Sequence, residues 1–248
     1  MDWTDQAIVL SVRPHGESSL LAMLLTHEHG RHAGLVRGGA SRRQRGIYQV
    51  GNEVSANWRA RLADHLGTLT CELVRSRAAR LLDDRLRLAG LSAACAVVET
   101  VLPERESHPA VHAGLTALLN TLEGSDLWGE AYVRWEIGLL AELGFGLDLS
   151  ACAATGAVED LIYVSPRTGR AVSAEAGAPY SEKLLPLPAF LRGEGEGGAV
   201  AIRDGLKLTG FFLARAIPAG ERGLPAARDR LWDAFAREAT KSCDKEGA

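Results

Sequence analysis

Gly30-Arg31-His32-Ala33-Gly34-Leu35-Val36-Arg37-Gly38-Gly39-Ala40-Ser41-Arg42-Arg43-Gln44-Arg45-Gly46 carries an apolar strand into a glycine pair and then a dense run of arginines. Gly30 closes a turn, and Arg31–Val36 reads as the strand after it. From His29 to Asn52 there is no Asp or Glu, so Arg31, Arg37, Arg42, Arg43 and Arg45 have no carboxylate nearby in sequence. Gly38 and Gly39 let the backbone turn sharply or approach a ligand closely. Arginine offers a rigid fork of donors that suits phosphate oxygens. The segment therefore reads either as a loop that grips a nucleic-acid backbone or as a solvated surface loop.

More strands lie on both sides. Upstream, Gln6–Arg13 holds Ile8, Val9, Leu10 and Val12, and Pro14-His15-Gly16-Glu17 is a turn. Ser19–Thr26 is a second apolar run, short and flanked by turns, which favours strand. Downstream, Val50–Trp58 alternates apolar and polar residues, and Leu66–Val74 does the same. Five short strands with Gly-containing turns and one long basic loop suggest a small closed barrel, with the oligonucleotide-binding (OB) fold ahead of a small sandwich. Tyr48 and Trp58 lie near the basic loop. Trp58 is expected to fill the barrel core, while Tyr48 is a candidate platform for stacking a base.

After Val74 the rhythm becomes helical. One helix is expected over Arg77–Leu102, stopped by Pro103, and a second over Pro109–Leu122. A third, Asp126–Leu143, is expected to be capped by Ser125 or Asp126 and ended by Gly144. Leu161–Val164 and Arg170–Val172 flank Ser165–Gly169 and read as a small hairpin. Gly193–Gly198 reads as a flexible acidic connector. Helices over Val200–Ile217 and Pro225–Thr240 follow, and then a polar tail, Lys241–Ala248, expected to fray. The fold class is α+β.

The charge is uneven. Residues 1–75 hold nine Arg against seven Asp and Glu, whereas the whole chain has a net charge of −3. A basic N-terminal part on an acidic body fits a focused anion site better than a general coat. Cys71, Cys95, Cys152 and Cys243 form no CxxC pair, and Cys71 and Cys95 sit in apolar runs as expected buried thiols. With no signal peptide, this points to a reducing cytoplasm, and no apolar run approaches the roughly 18–20 residues of a membrane span.

Enzyme signatures are missing. His27-Glu28-His29 has the wrong spacing for the helical zinc motif, and His108 and His112 have Pro109 between them with no third ligand evident. Gly16-Glu17-Ser18-Ser19-Leu20 lacks the closing glycine of a nucleophile elbow, and Arg37–Ser41 lacks the Lys-Ser/Thr end of a P-loop. A hydrolase using the His27–His29 turn is the enzymatic alternative.

A series of segments resembles one family in order. Ala7-Ile8-Val9-Leu10, Glu17-Ser18-Ser19, Leu25-Thr26, His29-Gly30-Arg31 and Val36-Arg37-Gly38-Gly39 look like the opening of the bacterial DNA-repair and recombination mediator family RecO. Leu69–Leu73 resembles the end of that family's barrel. Trp135–Leu149 and Tyr163–Ser173 resemble its helical-domain signature. The resemblance implies an OB domain over residues 1–76 and a helical domain over 77–248. It implies no catalysis and no cofactor. The implied role lies in the repair pathway of RecF, RecO and RecR, in the cytoplasm and nucleoid. It comprises binding single- and double-stranded DNA, annealing strands and helping load recombinase onto protein-coated strands. Partners so implied are RecR, RecF and the C-terminal tail of single-stranded DNA-binding protein. An RNA-binding OB factor is the alternative. Some members of the family carry a four-cysteine zinc site after the helical signature. Here Cys152-Ala153-Ala154-Thr155 keeps one thiol and replaces the second with Thr155, so residues 150–180 are expected to hold no zinc and to rely on packing.

Overall fold

The computed structural model describes residues 1–62, 64–195, 197–217 and 223–246, the last five as backbone only. The chain divides into two compact units, Met1–Ser125 with Pro225–Arg228, and Asp126–Leu224 with Asp229–Ala248.

In the first unit β1 (Asp2–His15), β2 (Ser19–Thr26), β3 (Arg31–Val36), β4 (Glu53–Arg59) and β5 (Thr68–Arg75) close into a barrel in the order β1-β2-β3-β5-β4. All pairings are antiparallel except β3 with β5, which meet in parallel at Leu35 and Thr68. Strand alternation places Val54, Ala56 and Trp58 inside the barrel. Small residues (Ala7, Ala22, Ala56, Cys71) leave room for the rings of Trp58 and Tyr48. Cys71 and Cys95 are buried thiols, pushed up to about 12 by desolvation.

Between β3 and β4 the basic segment forms one helical turn, α1 (Arg42–Arg45), where an irregular loop was expected. The long helix expected over Arg77–Leu102 is broken into α2 (Arg77–Arg80) and α3 (Arg85–Val101). The cause is Asp84, whose carboxylate accepts from the amides of Leu86 and Arg87, both at 3.0 Å. Pro109 opens α4 (Pro109–Gly124), where its missing N–H costs nothing. The first compact unit takes in these helices as well as the barrel.

The second unit begins with α5 (Trp128–Glu142). Leu127 occupies its N-cap position, just after the expected Ser125 or Asp126, and its own side chain makes no cap hydrogen bond. Gly144, at φ 82°, ends it, with the amides of Gly144 and Phe145 returning to Ala141 and Leu140. β6 (Leu161–Val164) and β7 (Ala171–Ser173) form the expected hairpin, followed by α6 (Ala174–Gly177). An unexpected strand, β8 (Leu185–Pro186), joins the free edge of β6, an edge position where a proline is tolerated. Within 193–198 the connector is tied down, because the Gly197 amide donates to buried Glu130 at 2.8 Å, while Glu196 lies outside the described residues. α7 (Ala199–Ala216) packs on α5, with Thr209 bonded to buried Glu136. The backbone of α8 (Ala226–Glu246) stays helical past Thr240, into the tail expected to fray, and residues 247–248 lie outside the described residues.

Candidate nucleic-acid interface

The basic segment is held at both ends. At its start Gly38 adopts φ 67°, a left-handed conformation that favours glycine. Gly39 is buried, and a Cβ there would stand 2.8 Å from Val36 and 3.0 Å from Leu20. The amide of Ala40 donates to the Ser18 carbonyl at 3.1 Å, fastening the segment to the β1–β2 turn. At its far end the Asn52 amide group donates to the carbonyls of Gly46 (2.9 Å) and Ile47 (3.2 Å). Asn52 is fully buried, and its carbonyl oxygen accepts from the Arg77 amide at 3.1 Å.

Arg42, Arg43 and Arg45 between these anchors, and Arg37 just ahead of the first, are exposed. None of the four forms an ion pair with a carboxylate among the described residues. Arg45 donates from Nε to the Ala40 carbonyl at 3.1 Å, which orients its guanidinium without neutralising it. The backbone of the turn is fastened and the Arg45 fork is oriented, while Arg37, Arg42 and Arg43 present exposed guanidinium groups, a chemistry that suits phosphate oxygens.

Two residues grouped with that segment from sequence are elsewhere. Tyr48 is 6% exposed in the barrel core, and its hydroxyl accepts from the Cys71 amide at 3.0 Å. Burial raises its phenol pKa, and its ring has no solvent face on which a base could stack. Its proximity to the arginines in sequence reflects its work as an anchor. Arg31 stands at the opposite end of β3 from the basic turn. Its guanidinium lies 3.9 Å from Glu104, and its carbonyl accepts from the Arg105 amide at 2.8 Å. The carboxylate that sequence did not supply arrives from far along the chain.

A second cationic surface was missed. The β4–β5 turn forms an open groove of about 860 Å³ lined by Arg59, Arg61, His65 and Thr68, together with Leu35 from β3. The signal was present in Arg59-Ala60-Arg61, just where alternation turns Arg59 outward after buried Trp58.

The histidines of the 27–29 turn have different neighbours. His29 lies 3.1 Å from the Asp5 carboxylate, whereas His27 sets its ring against that of His112. Desolvation raises the Asp5 carboxyl, but bonds from the Glu28 amide, His29 and the Gln6 amide outweigh it and hold the pKa below the usual value. Among the described residues no group of three or more His, Cys, Asp or Glu is arranged to hold a metal ion.

At the segment matching the zinc site of the resemblance, the residues present do not fit a metal. Cys152 is buried, and its sulfur accepts from the Ser173 amide at 3.3 Å and the Ser173 hydroxyl at 3.5 Å. Burial raises this thiol, but bonds from Ser173, Thr155 and the Ala154 amide prevail and bring it down to about 6. One sulfur already engaged with the hairpin is a poor substitute for four ligands.

Comparison with known proteins covers almost the whole chain. A family model described as "Recombination protein O N terminal" matches residues 1–77, and one described as "Recombination protein O C terminal" matches residues 82–224. The chain is 56% identical to the DNA repair protein RecO of Rhodospirillum centenum, over 98% of each chain. It is 54% identical to the DNA repair protein RecO of Ruegeria sp., over 96% of this chain and 99% of that one. It is 50% identical to the protein of that name from Jannaschia sp., over 96% and 98%.

Proposed function

The chain belongs to the recombination protein O family, and from that premise we propose that it serves DNA repair and recombination as a non-enzymatic DNA-binding mediator. It binds single- and double-stranded DNA, anneals complementary strands and helps load recombinase onto strands coated by single-stranded DNA-binding protein. Its partners in that work are RecR, RecF and the acidic tail of the coating protein. No described helix is long and apolar enough to cross a membrane.

One observation carries the DNA-binding part of this reading. Arg37, Arg42, Arg43 and Arg45 are exposed and without ion pairs among the described residues, on a turn anchored by Gly39 and Asn52. Guanidinium groups set out this way neutralise phosphates irrespective of sequence, as strand annealing requires.

The test is a titration of labelled single-stranded DNA at several salt concentrations. Each phosphate neutralised on a single strand contributes about −0.7 to the slope of log affinity against log salt. Changing Arg42, Arg43 and Arg45 together to alanine is expected to flatten the slope by up to roughly 2 and to weaken unrelated sequences alike. Annealing falls with it. An unchanged slope with unchanged annealing in the triple variant sinks the assignment of this turn.

A further inference from the structure

Register brings two tryptophans together at one edge of the barrel. Trp3 of β1 pairs directly with Trp58 of β4. Their rings stack with centroids 5.6 Å apart and planes 14° apart. Trp58 is 1% exposed, and its indole donates to the Leu66 carbonyl at 3.0 Å. His29, in the turn after β2, lies 4.4 Å from Trp3 and within 11° of parallel. The edge of His32 meets Trp3 at 5.0 Å and Trp58 at 4.8 Å. These four rings, with Arg105, line an open slot of about 540 Å³. Ligand pockets run from about 300 to 1,000 Å³.

His32 is the polar group that such a slot leaves unused. The residue is 6% exposed, both ring nitrogens are buried, and neither has a partner at hydrogen-bonding geometry. Buried polar side chains without a partner are uncommon and call for an explanation. Desolvation, then the charges of Arg105 and His29, push the imidazole down to about 4, against a smaller upward pull from the His29 backbone. It is therefore neutral near pH 7 and offers one donor and one acceptor.

Arg105 connects the slot to the cationic groove. It is one of two described non-glycine residues with positive φ, at 62°. Its guanidinium donates to the His65 carbonyl, 3.0 Å away on the β4–β5 turn. The slot and the Arg59–Arg61–His65 groove thus meet through one side chain.

We infer that the slot takes one unstacked nucleobase of a single DNA strand whose phosphates follow the β4–β5 groove. This inference rests on the DNA-binding reading above and adds a second place of contact. Trp58 and His32 are buried and form the floor of the slot, so the rings open to a flat heteroaromatic ligand are the half-buried Trp3 and His29. The neutral imidazole of His32 beneath them can both donate to and accept from a base edge that reaches the floor. Asp2 and Glu28 at the rim disfavour an acidic peptide, whereas a nucleobase is uncharged and its phosphate lies on the arginine groove.

The test compares two labelled strands of equal length and charge, an oligothymidylate and its abasic analogue, on the full chain at low salt. Stacking on one base contributes about 1–3 kcal/mol, so the intact strand is expected to bind wild type at least about fivefold more tightly. The advantage should shrink in a His29→Ala/His32→Leu variant, while the salt slope, set by phosphates, stays at its wild-type value. Equal affinity for both strands overturns the slot, as does an advantage that survives in the folded double variant. If that variant does not fold, wild-type tryptophan fluorescence decides, because quenching by the intact strand but not the abasic one is required. Failure of both strands to bind at low salt would instead remove the DNA-binding reading itself.

Discussion

Two arginine triplets in the first unit have opposite fates. Arg42, Arg43 and Arg45 are exposed, with no ion pair among the described residues. Arg75, Arg77 and Arg80 converge on Glu123 of α4. Arg77 is 1% exposed and reaches Glu123 and Asn120 at 2.9 Å and Glu53 at 3.0 Å. The residue type is the same and the local sequences are similarly basic. The difference lies in whether the fold delivers a carboxylate. An arginine whose charge is satisfied from within holds α4 to the barrel, and one left unsatisfied is available to a polyanion.

The sharpest way to break this contrast is to remove the shared carboxylate. Glu123→Ala leaves Arg77 buried with only Glu53 as its counter-ion. Breaking a buried pair costs about 3–5 kcal/mol, so a loss near 3 kcal/mol in denaturant unfolding is expected, while DNA affinity of the folded protein should rise, because Arg75 and Arg80 lose the carboxylate that satisfies them. A loss below about 1 kcal/mol would mean that the triplet is not structural. The next effect is at Asn52, where the two regions meet. Its amide holds the end of the basic segment, and its carbonyl oxygen holds the start of α2. Asn52→Ala strands several buried partners and is expected to cost about 2 kcal/mol. Amide exchange should quicken at Gly46–Tyr48, and DNA affinity should fall as the arginines lose their fixed placement. Stability lost with no change in exchange there would separate the anchor from the basic segment.

Much of the barrel was legible because its signals are local. The β2 and β3 runs are short, apolar and bounded by turn residues, and the alternation in Val54, Ala56 and Trp58 states which side chains face inward. The break at Asp84 was misread because helical periodicity continues through it, although a cap residue stood in plain view. β8 was hidden by Pro186 and by having only two residues. The candidate site was harder to read. Arg31 looked free because Glu104 is far away in sequence, and Tyr48 looked available because burial is a property of barrel closure. The ring cluster depends on register, which pairs Trp3 with Trp58, and no local pattern in either strand announces that pairing.

The smallest expected effect tests the contrast where it is weakest, at Arg80, the most exposed of its triplet, against Arg43 of the other. Arg80 has a side chain 61% exposed and donates to Glu123 at 3.2 Å, while Arg43 is exposed with no ion pair among the described residues. Exposed ion pairs contribute about 0.2–1 kcal/mol, because water screens the charges and holding long side chains costs entropy. Glu123 also keeps Arg75 and Arg77 when Arg80 is removed. Arg80→Gln should therefore lose about 0.5 kcal/mol or less and leave the salt slope of DNA binding where it was. Arg43→Gln should leave stability within about 0.5 kcal/mol and flatten the slope by about 0.7, one phosphate's share. The two measurements cross, since each variant moves mainly the quantity that the other leaves alone. If Arg80→Gln flattened the slope as much as Arg43→Gln does, the bound strand would extend to the α2 arginines. Pairing with Glu123 would then not be what removes an arginine from DNA contact, and the division between structural and ligand-binding arginines would fail at its margin.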